Sequence, residues 1–192
     1  MSSFTFPLTN NVKIHFKISQ SECINLINIL QILTYSPNII LTKHQNFIIV
    51  KVLSPTSLTF TLFCKEGYIN ATGIKNFISI ASCLNTFQLL FNIPPRNILS
   101  LTVDNSTSSG TFGKNINLAE VKRKINSIKY LSSVKVSSKF NLNFFPAVFI
   151  KFVGKGTIAI FQTGKYNIIG AKCPNNILHI FQSIQTLLET MK

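Results

Sequence analysis

The chain has 192 residues, of which 46% are hydrophobic and 12% are charged, a balance that is typical of a folded globular protein and excludes a disordered one. Lysine and arginine number 19 against 5 acidic residues, which gives a formal net charge of +14 at pH 7. So large an excess is costly to a compact chain unless a polyanion neutralises it. We therefore expect nucleic acid as the partner, with an anionic membrane surface as the alternative.

The apolar segments and the cysteines argue against several other classes. No window reaches the roughly 18 apolar residues of a membrane span, and residues 1–7 do not have the pattern of a secretion signal. The 4 cysteines are far apart, with no Cys-x-x-Cys motif and no histidine close by, so neither a zinc site nor a disulfide framework is indicated. We expect an intracellular protein with reduced thiols, no cofactor and no membrane partner.

Hydrophobic periodicity predicts the elements of the first half. Residues 11–18 alternate between apolar and mostly cationic or polar side chains, which predicts a half-buried strand. A helix is expected from Ser19 or Ser21 to Ser36-Pro37, where the proline ends it. The further predicted elements of this half are strands at 47–53, 58–64 and 68–72 and a helix at about 76–91.

Two adjacent prolines, Pro94 and Pro95, stop that helix and divide the chain into repeats at 1–95 and 96–192. The second repeat is predicted to contain a strand from 98 to about 112, a helix at 118–131, strands at 145–152, 157–162 and 165–169, and a helix at 174–190. Four residue types recur in the second half at one fixed spacing, which is the distance along the chain from Gly67 to Gly164. This repetition indicates that one structural unit occurs twice. The predicted class is α+β, with one continuous curved antiparallel sheet, helices on one side and a bare opposite face.

Short motifs in the second repeat carry a family resemblance. Phe144-Phe145-Pro146, the sequence Ile-Phe-Gln-Thr-Gly-Lys at 160–165, and Gly170-Ala171-Lys172 resemble the Leu-Phe-Pro, Ile-Phe-Val-Ser-Gly-Lys and Gly-Ala-Lys of the TATA-box-binding protein family. Asp104-Asn105 resembles the Gln-Asn that opens a repeat in that family. The resemblance covers nearly the whole chain but is weaker in the first repeat. It implies the family's two-repeat saddle, with helices on the convex face.

The resemblance also implies a function. Members of this family are transcription initiation factors that bind and bend AT-rich promoter DNA through the minor groove, where amide donors meet base acceptors and wedge side chains open base steps. A factor-IIB-like protein and the RNA polymerase machinery are the implied protein partners. The match, with strand parity, implies that the residues at the DNA are Asn11, Lys13, Phe47, Leu62, Asn70 and Thr72 in the first repeat, and Asn105, Thr107, Phe145, Phe149, Lys151, Ala159, Phe161, Lys165, Asn167 and Ile169 in the second.

The first repeat departs from the family pattern. At the ungapped spacing Phe47 pairs with Cys64, where the family has two phenylalanines, so one wedge is expected to be incomplete. Lys13 and His15 replace apolar groups on the sheet face. Asn70 and Asn167 replace aliphatic residues and Ile169 replaces a threonine, so a strict preference for a TATA sequence does not follow.

Other classes of protein were weighed against this one. The 5 acidic residues form no pair, and no nucleophile has a base in a recognisable motif, so an enzyme is not expected. A degenerate first repeat leaves open a scaffold that keeps the fold and binds other transcription proteins with little or no specific DNA binding. The abundance of Asn, Ile, Lys and Phe indicates an AT-rich genome and is compatible with a large DNA virus. The protein would then act in the nucleus or at a viral replication site in the cytoplasm.

Overall fold

The computed structural model describes residues 5–54, 57–63, 65–128, 130–139 and 145–191. The chain divides into two compact units. The first unit is Asn11–Asp104, and the second unit combines Met1–Asn10 with Asn105–Lys192. Two long strands, β1 (Thr5–Ile18) and β6 (Ile98–Thr111), contribute residues to both units.

The first unit packs two helices on an antiparallel sheet. Its further elements are α1 (Gln20–Leu33), β2 (Ile39–Lys43), β3 (Ile48–Val52), β4 (Leu58–Phe63), β5 (Tyr68–Ile74), α2 (Ser79–Phe91) and a 3-10 turn at Pro95–Asn97. The strand order is β2-β3-β4-β5-β1-β6. As the alternation in 11–18 predicts, Val12, Ile14 and Phe16 are fully buried while the residues between them are not.

An aromatic core joins the helices of the first unit to its sheet. The Phe87 ring of α2 lies 4.8 Å from Phe16 and 5.3 Å from Phe60, centroid to centroid. Both partners belong to strands, and both are fully buried. Truncation of such a ring in a packed core costs about 3–5 kcal/mol. The helices therefore cover one face of this sheet and fix which side chains lie on the other.

Burial also controls the chemistry of a thiol in this core. Desolvation raises the pKa of Cys83 in α2 to about 12, so the reactive thiolate is scarce at pH 7 to 9. We expect maleimide to label Cys83 only when the unit unfolds, whereas the half-buried Cys173 reacts in the native protein. Peptide mass spectrometry along a urea series measures both. Equal labelling of the two in the native state would contradict the burial of Cys83.

The second unit has the same kind of architecture. Its elements after β6 are α3 (Leu118–Asn126), β7 (Tyr130–Leu131), β8 (Val134–Lys139), β9 (Ala147–Phe152), β10 (Gly156–Phe161), β11 (Lys165–Ile169) and α4 (Pro174–Glu189). The strand order is β1-β6-β11-β10-β9-β8-β7. Phe181 of α4 stacks on Phe112 at 5.7 Å and lies 5.6 Å from Tyr166. The Tyr166 hydroxyl donates to the carbonyl of Thr5 at 3.0 Å, which ties the N-terminal part of β1 to β11.

Three strands of the described chain were not predicted. β2 is a short edge strand whose residues lack a decisive period, and such apolar runs do not distinguish helix from strand. The helix predicted at 118–131 ends at Asn126, because a turn at Ser132 and Ser133, both with positive φ, lets β7 pair with β8. The division into repeats at 1–95 and 96–192 stays a prediction. No helix in the described ranges is long and apolar enough to cross a membrane.

Candidate nucleic-acid interface

In the first unit the sheet face opposite the helices carries polar and cationic side chains. We call it the open face of that unit. His15, Asn70 and Thr61 are cross-strand neighbours on it, since His15 pairs with Asn70 and Asn70 with Thr61. Thr72 pairs with Thr59 in the same way. Hence Asn70 and Thr72, both named from the sequence, lie in rows on this open face.

The second unit has a corresponding open face with two aligned rows of side chains. One row runs from Phe149 through Ala159 and Asn167 to Ser109, and the other runs from Lys151 through Thr157 and Ile169 to Thr107. Each row alternates with core residues such as Ile150, Ile158 and Ile168, which are fully buried. Seven of the predicted DNA contacts, Thr107, Phe149, Lys151, Ala159, Lys165, Asn167 and Ile169, thus lie on one common face, on which Ala159 is buried by its neighbours at 2% exposed.

Three phenylalanines form a cluster on the open face of the second unit. Phe145 lies 5.8 Å from Phe161 and 5.5 Å from Phe149, centroid to centroid. Phe145 is 46% exposed, and neither Phe161 nor Phe149 is fully buried. Phe144, the first residue of the motif Phe144-Phe145-Pro146, lies outside the described residues. The cluster is an exposed aromatic ridge and not part of the core.

The first unit has a phenylalanine pair that sequence comparison missed. Phe47 lies 5.7 Å from Phe63 and stacks on His44 at 4.4 Å. Phe63 thus occupies the place beside Phe47 that the ungapped match gave to Cys64, so the first unit has a second ring there, and whether this pair acts as a wedge stays a prediction. Cys64 itself lies outside the described residues.

Loop length explains the error. Phe63 and Tyr68 close the β4–β5 hairpin with four residues between them, whereas only three separate Phe161 from Lys165 in the β10–β11 hairpin. An ungapped comparison cannot absorb the extra residue, so it shifts every residue of β4 by one. A shift by one moves a strand residue to the opposite face of its sheet.

The same shift accounts for the wrong assignment of Leu62. Its side chain is fully buried and belongs to the core of the first unit. Because side chains alternate along a strand, its neighbours Thr61 and Phe63 occupy the open face instead. Leu62 is therefore a core residue and is withdrawn as a DNA contact.

Asn105 and Asn11, two predicted DNA contacts with amide side chains, lie where the two units divide the strands β6 and β1. Asn105 begins the second unit's part of β6, and its side-chain oxygen accepts from the backbone N–H of Gly170 at 2.7 Å. This bond directs the oxygen into the protein and leaves the NH₂ group as the end that can donate to a groove acceptor. Asn11, the first residue of the first unit, is exposed on β1.

Three of the four helices in the described residues lack positively charged side chains. α1, α2 and α4 contain no lysine or arginine, whereas the strands of the open faces do. Lys135 and Lys139 alternate with buried Val136 in β8, so they extend the cationic edge beside Lys151. Sequence reasoning missed both because it did not predict β8.

One acidic residue, Asp104, lies among the cationic and polar side chains of the first unit's open face. In the first unit Asp104 Oδ1 lies 2.5 Å from His15 Nδ1, and Asp104 Oδ2 lies 3.5 Å from Lys13 Nζ. Lys13 and His15, which replace apolar groups of the family, thus share one carboxylate. Among the described residues no cluster of His, Cys, Asp and Glu suitable for a metal ion occurs.

Comparison with solved structures identifies the fold. Methanococcus jannaschii TBP superposes with a TM-score of 0.72 at 16% identity, covering 97% of this chain and 99% of that chain. A rolling circle replication initiator protein from Geobacillus stearothermophilus gives a TM-score of 0.43 at 8% identity over 93% of this chain and 78% of its own, a likeness too weak to carry an argument. The chain has the TATA-binding protein fold, and the predicted α+β class with its antiparallel sheet is confirmed.

Sequence similarity indicates the same family in one half of the chain. The model of the family described as transcription factor TFIID (or TATA-binding protein, TBP) matches residues 100–191, in the repeat where the resemblance is strongest. This half of the chain is thus similar in sequence to the TATA-binding protein family. No curated protein matches the chain's sequence. The family match supports a DNA-binding role in transcription.

Proposed function

We propose that this protein is a transcription initiation factor that binds AT-rich promoter DNA through the minor groove and bends it. The observation that carries the proposal is a phenylalanine pair on the open face of each unit, Phe47 with Phe63 and Phe145 with Phe161, in which Phe145 is exposed and the other three rings are partly exposed. Exposed aromatic clusters on a folded protein indicate a surface that a partner covers. In the minor groove such rings act as wedges that unstack a base step and kink the duplex.

The rows between the aromatic clusters and the strand ends suit the groove floor. A·T pairs present only acceptors there, and the amide groups of Asn70, Asn167 and Asn105 can donate to them. Small or flat side chains such as Ala159 let the sheet approach closely. Lys151 and Lys165 are exposed at positions where they can reach phosphates. In this proposal the phenylalanines act as wedges, the amides donate to the bases and the lysines contact phosphates.

The alternative is a TATA-binding-protein-like scaffold that binds other transcription proteins without specific DNA binding. One feature favours it: α2 and the residue before it expose Ile78 and Leu89 almost completely. A protein partner could cover these side chains. In the promoter-factor proposal the same helix is available to a factor-IIB-like protein or to the polymerase machinery, in the nucleus or at a viral replication site.

A competition experiment tests the proposal. A labelled AT-rich duplex is challenged with AT-rich, GC-rich and single-stranded competitors at several salt concentrations. Preferential displacement by AT-rich duplex supports the promoter factor. Equal displacement by all three, or no binding, favours the scaffold.

Phosphate contacts predict a steep salt dependence. Each neutralised phosphate adds about −0.9 to the slope of log affinity against log salt. We expect Lys151→Ala and Lys165→Ala each to weaken binding to all duplexes alike and to reduce the slope by about 1. Lys124→Ala on α3 is the matched control, because it removes an exposed charge from outside the open faces. Identical slopes for the control and the two strand variants would contradict the assignment of these lysines.

A further inference from the structure

Asp104 is the one carboxylate on the open faces of the described residues. The other four acidic residues lie in α1, α3 and α4 and in the β4–β5 turn. Asp104 keeps 29% of its side chain exposed. It lies on the open face of the first unit, since its partners Lys13 and His15 alternate with fully buried Val12, Ile14 and Phe16.

Its neighbours hold the Asp104 carboxylate in place. A carboxylate oxygen can only accept, so the His15 ring N–H donates to Oδ1 at 2.5 Å. His15 is held in turn on β1, opposite Asn70, with its ring 6.5 Å from that of Tyr68. Among the contacts of the described residues, Oδ2 meets only Lys13, at 3.5 Å. Oδ2 therefore keeps the capacity to accept a further hydrogen bond.

An acceptor at this place conflicts with a purely A·T groove. The minor-groove edges of A·T and T·A pairs carry only acceptors, so a carboxylate facing them has nothing to bind. Narrow A-tract grooves also concentrate negative potential, which opposes a negative side chain. A G·C pair differs in one group, the guanine N2 amino group, which is a donor in the minor groove.

We infer that Asp104 selects a G·C pair at one position of an otherwise A·T-rich site, by accepting a hydrogen bond from the guanine amino group. The inference rests on the proposed function and adds a base preference to it. His15 and Lys13 act as positioning residues, because they orient the carboxylate and offset its charge beside the phosphates.

A base scan tests the inference. Starting from an AT-rich duplex that the protein binds, each A·T pair is replaced in turn by G·C, and affinities are measured for the wild type, Asp104→Asn and Glu66→Gln. At one position of the duplex, we expect the G·C substitution to raise the ratio of wild-type affinity to Asp104→Asn affinity by about tenfold. Asp104→Asn supplies an NH₂ donor and should favour A·T at that position. Glu66→Gln removes the same charge from a turn, and should raise affinity for every duplex alike.

Inosine separates the hydrogen bond from other effects of a G·C pair. Inosine lacks only the N2 amino group, so its substitution for guanine at the selected position should abolish the wild-type preference, whereas Asp104→Asn should bind the inosine duplex better than the guanine duplex, because its NH₂ donor no longer opposes a second donor. Thermal unfolding of Asp104→Asn, which keeps the shape of the side chain, checks that it is folded. If G·C weakens the wild type and Asp104→Asn equally at every position, the inference is wrong while the proposed function stands. If the wild type does not prefer the AT-rich parent duplex to a GC-rich duplex, the proposed function fails and the inference with it.

Discussion

The double variant Phe145→Ala/Phe161→Ala is expected to lose the part of the DNA bend that the second unit makes while remaining folded. The rings lie 5.8 Å apart, centroid to centroid, in a tilted arrangement on the open face of the second unit, and Phe145 is 46% exposed. Burial of a phenylalanine against a partner contributes about 1.5–3 kcal/mol. Removal of two such wedges should lower the affinity for AT-rich duplex on the order of a hundredfold.

The fold should tolerate this change because the two side chains fill no core space. The lost aromatic contacts are worth about 0.5–1.5 kcal/mol each, so we expect a small decrease in the free energy of unfolding. Phe87→Ala is the matched control, since it removes a fully buried ring and should cost about 3–5 kcal/mol.

Two measurements decide the outcome. Energy transfer between dyes at the two ends of a short duplex reports bending, and urea unfolding reports stability. A double variant that loses as much stability as Phe87→Ala, together with a wild type that never bends DNA, would make the rings structural and support the scaffold.

Much of the fold follows from local sequence patterns. Alternation along residues 11–18 predicts the core face of β1 correctly, and the glycine-rich turns at 154–156 and 163–164 delimit β9, β10 and β11. These signals are strong because each depends on the period or the turn chemistry of a few adjacent residues. The three strands β9, β10 and β11 therefore emerge with nearly the observed bounds, whereas β1 begins at Thr5, six residues before the predicted start.

The errors arise where an element is defined by its pairing partners and not by its own residues. β7 has only two residues and β8 lacks a regular apolar alternation, so their pairing with each other and with β9 makes them strands. Leu62 was assigned to the wrong face and Phe63 was overlooked because the length of a loop decides the register, and no residue within β4 records it. The contacts of Asp104 with Lys13 and His15 likewise join residues that are remote in the chain.

The corrected register changes what the first unit can do. With Cys64 opposite Phe47 the unit would present one ring, whereas with Phe63 it presents a ring pair at 5.7 Å, close to the 5.8 Å of Phe145 and Phe161. His44 adds a stacked ring to Phe47 at 4.4 Å. The first unit therefore carries a phenylalanine pair with nearly the same ring separation as that of the second unit, although its sequence resembles the family less.

The double variant Phe47→Ala/Phe63→Ala should accordingly remove a second, separate part of the DNA bend. Both rings are only partly buried, so the free energy of unfolding should again fall far less than in Phe87→Ala. We expect an affinity loss of the same order as for the second-unit pair, about a hundredfold. The matched control is Leu62→Ala, because Leu62 adjoins Phe63 on the chain but lies in the core, and its loss should cost about 2–5 kcal/mol of stability.

Comparison of the two phenylalanine pairs then tells whether both units contact DNA. If each pair inserts at its own base step, energy transfer in either double variant reports a partial bend, and the variant lacking all four rings reports a straight duplex. A first-unit variant that bends DNA like the wild type, while the second-unit variant does not, would show that only one wedge functions. In that case Phe47 and Phe63 contact a protein partner or only each other, and the bend depends on the second unit alone.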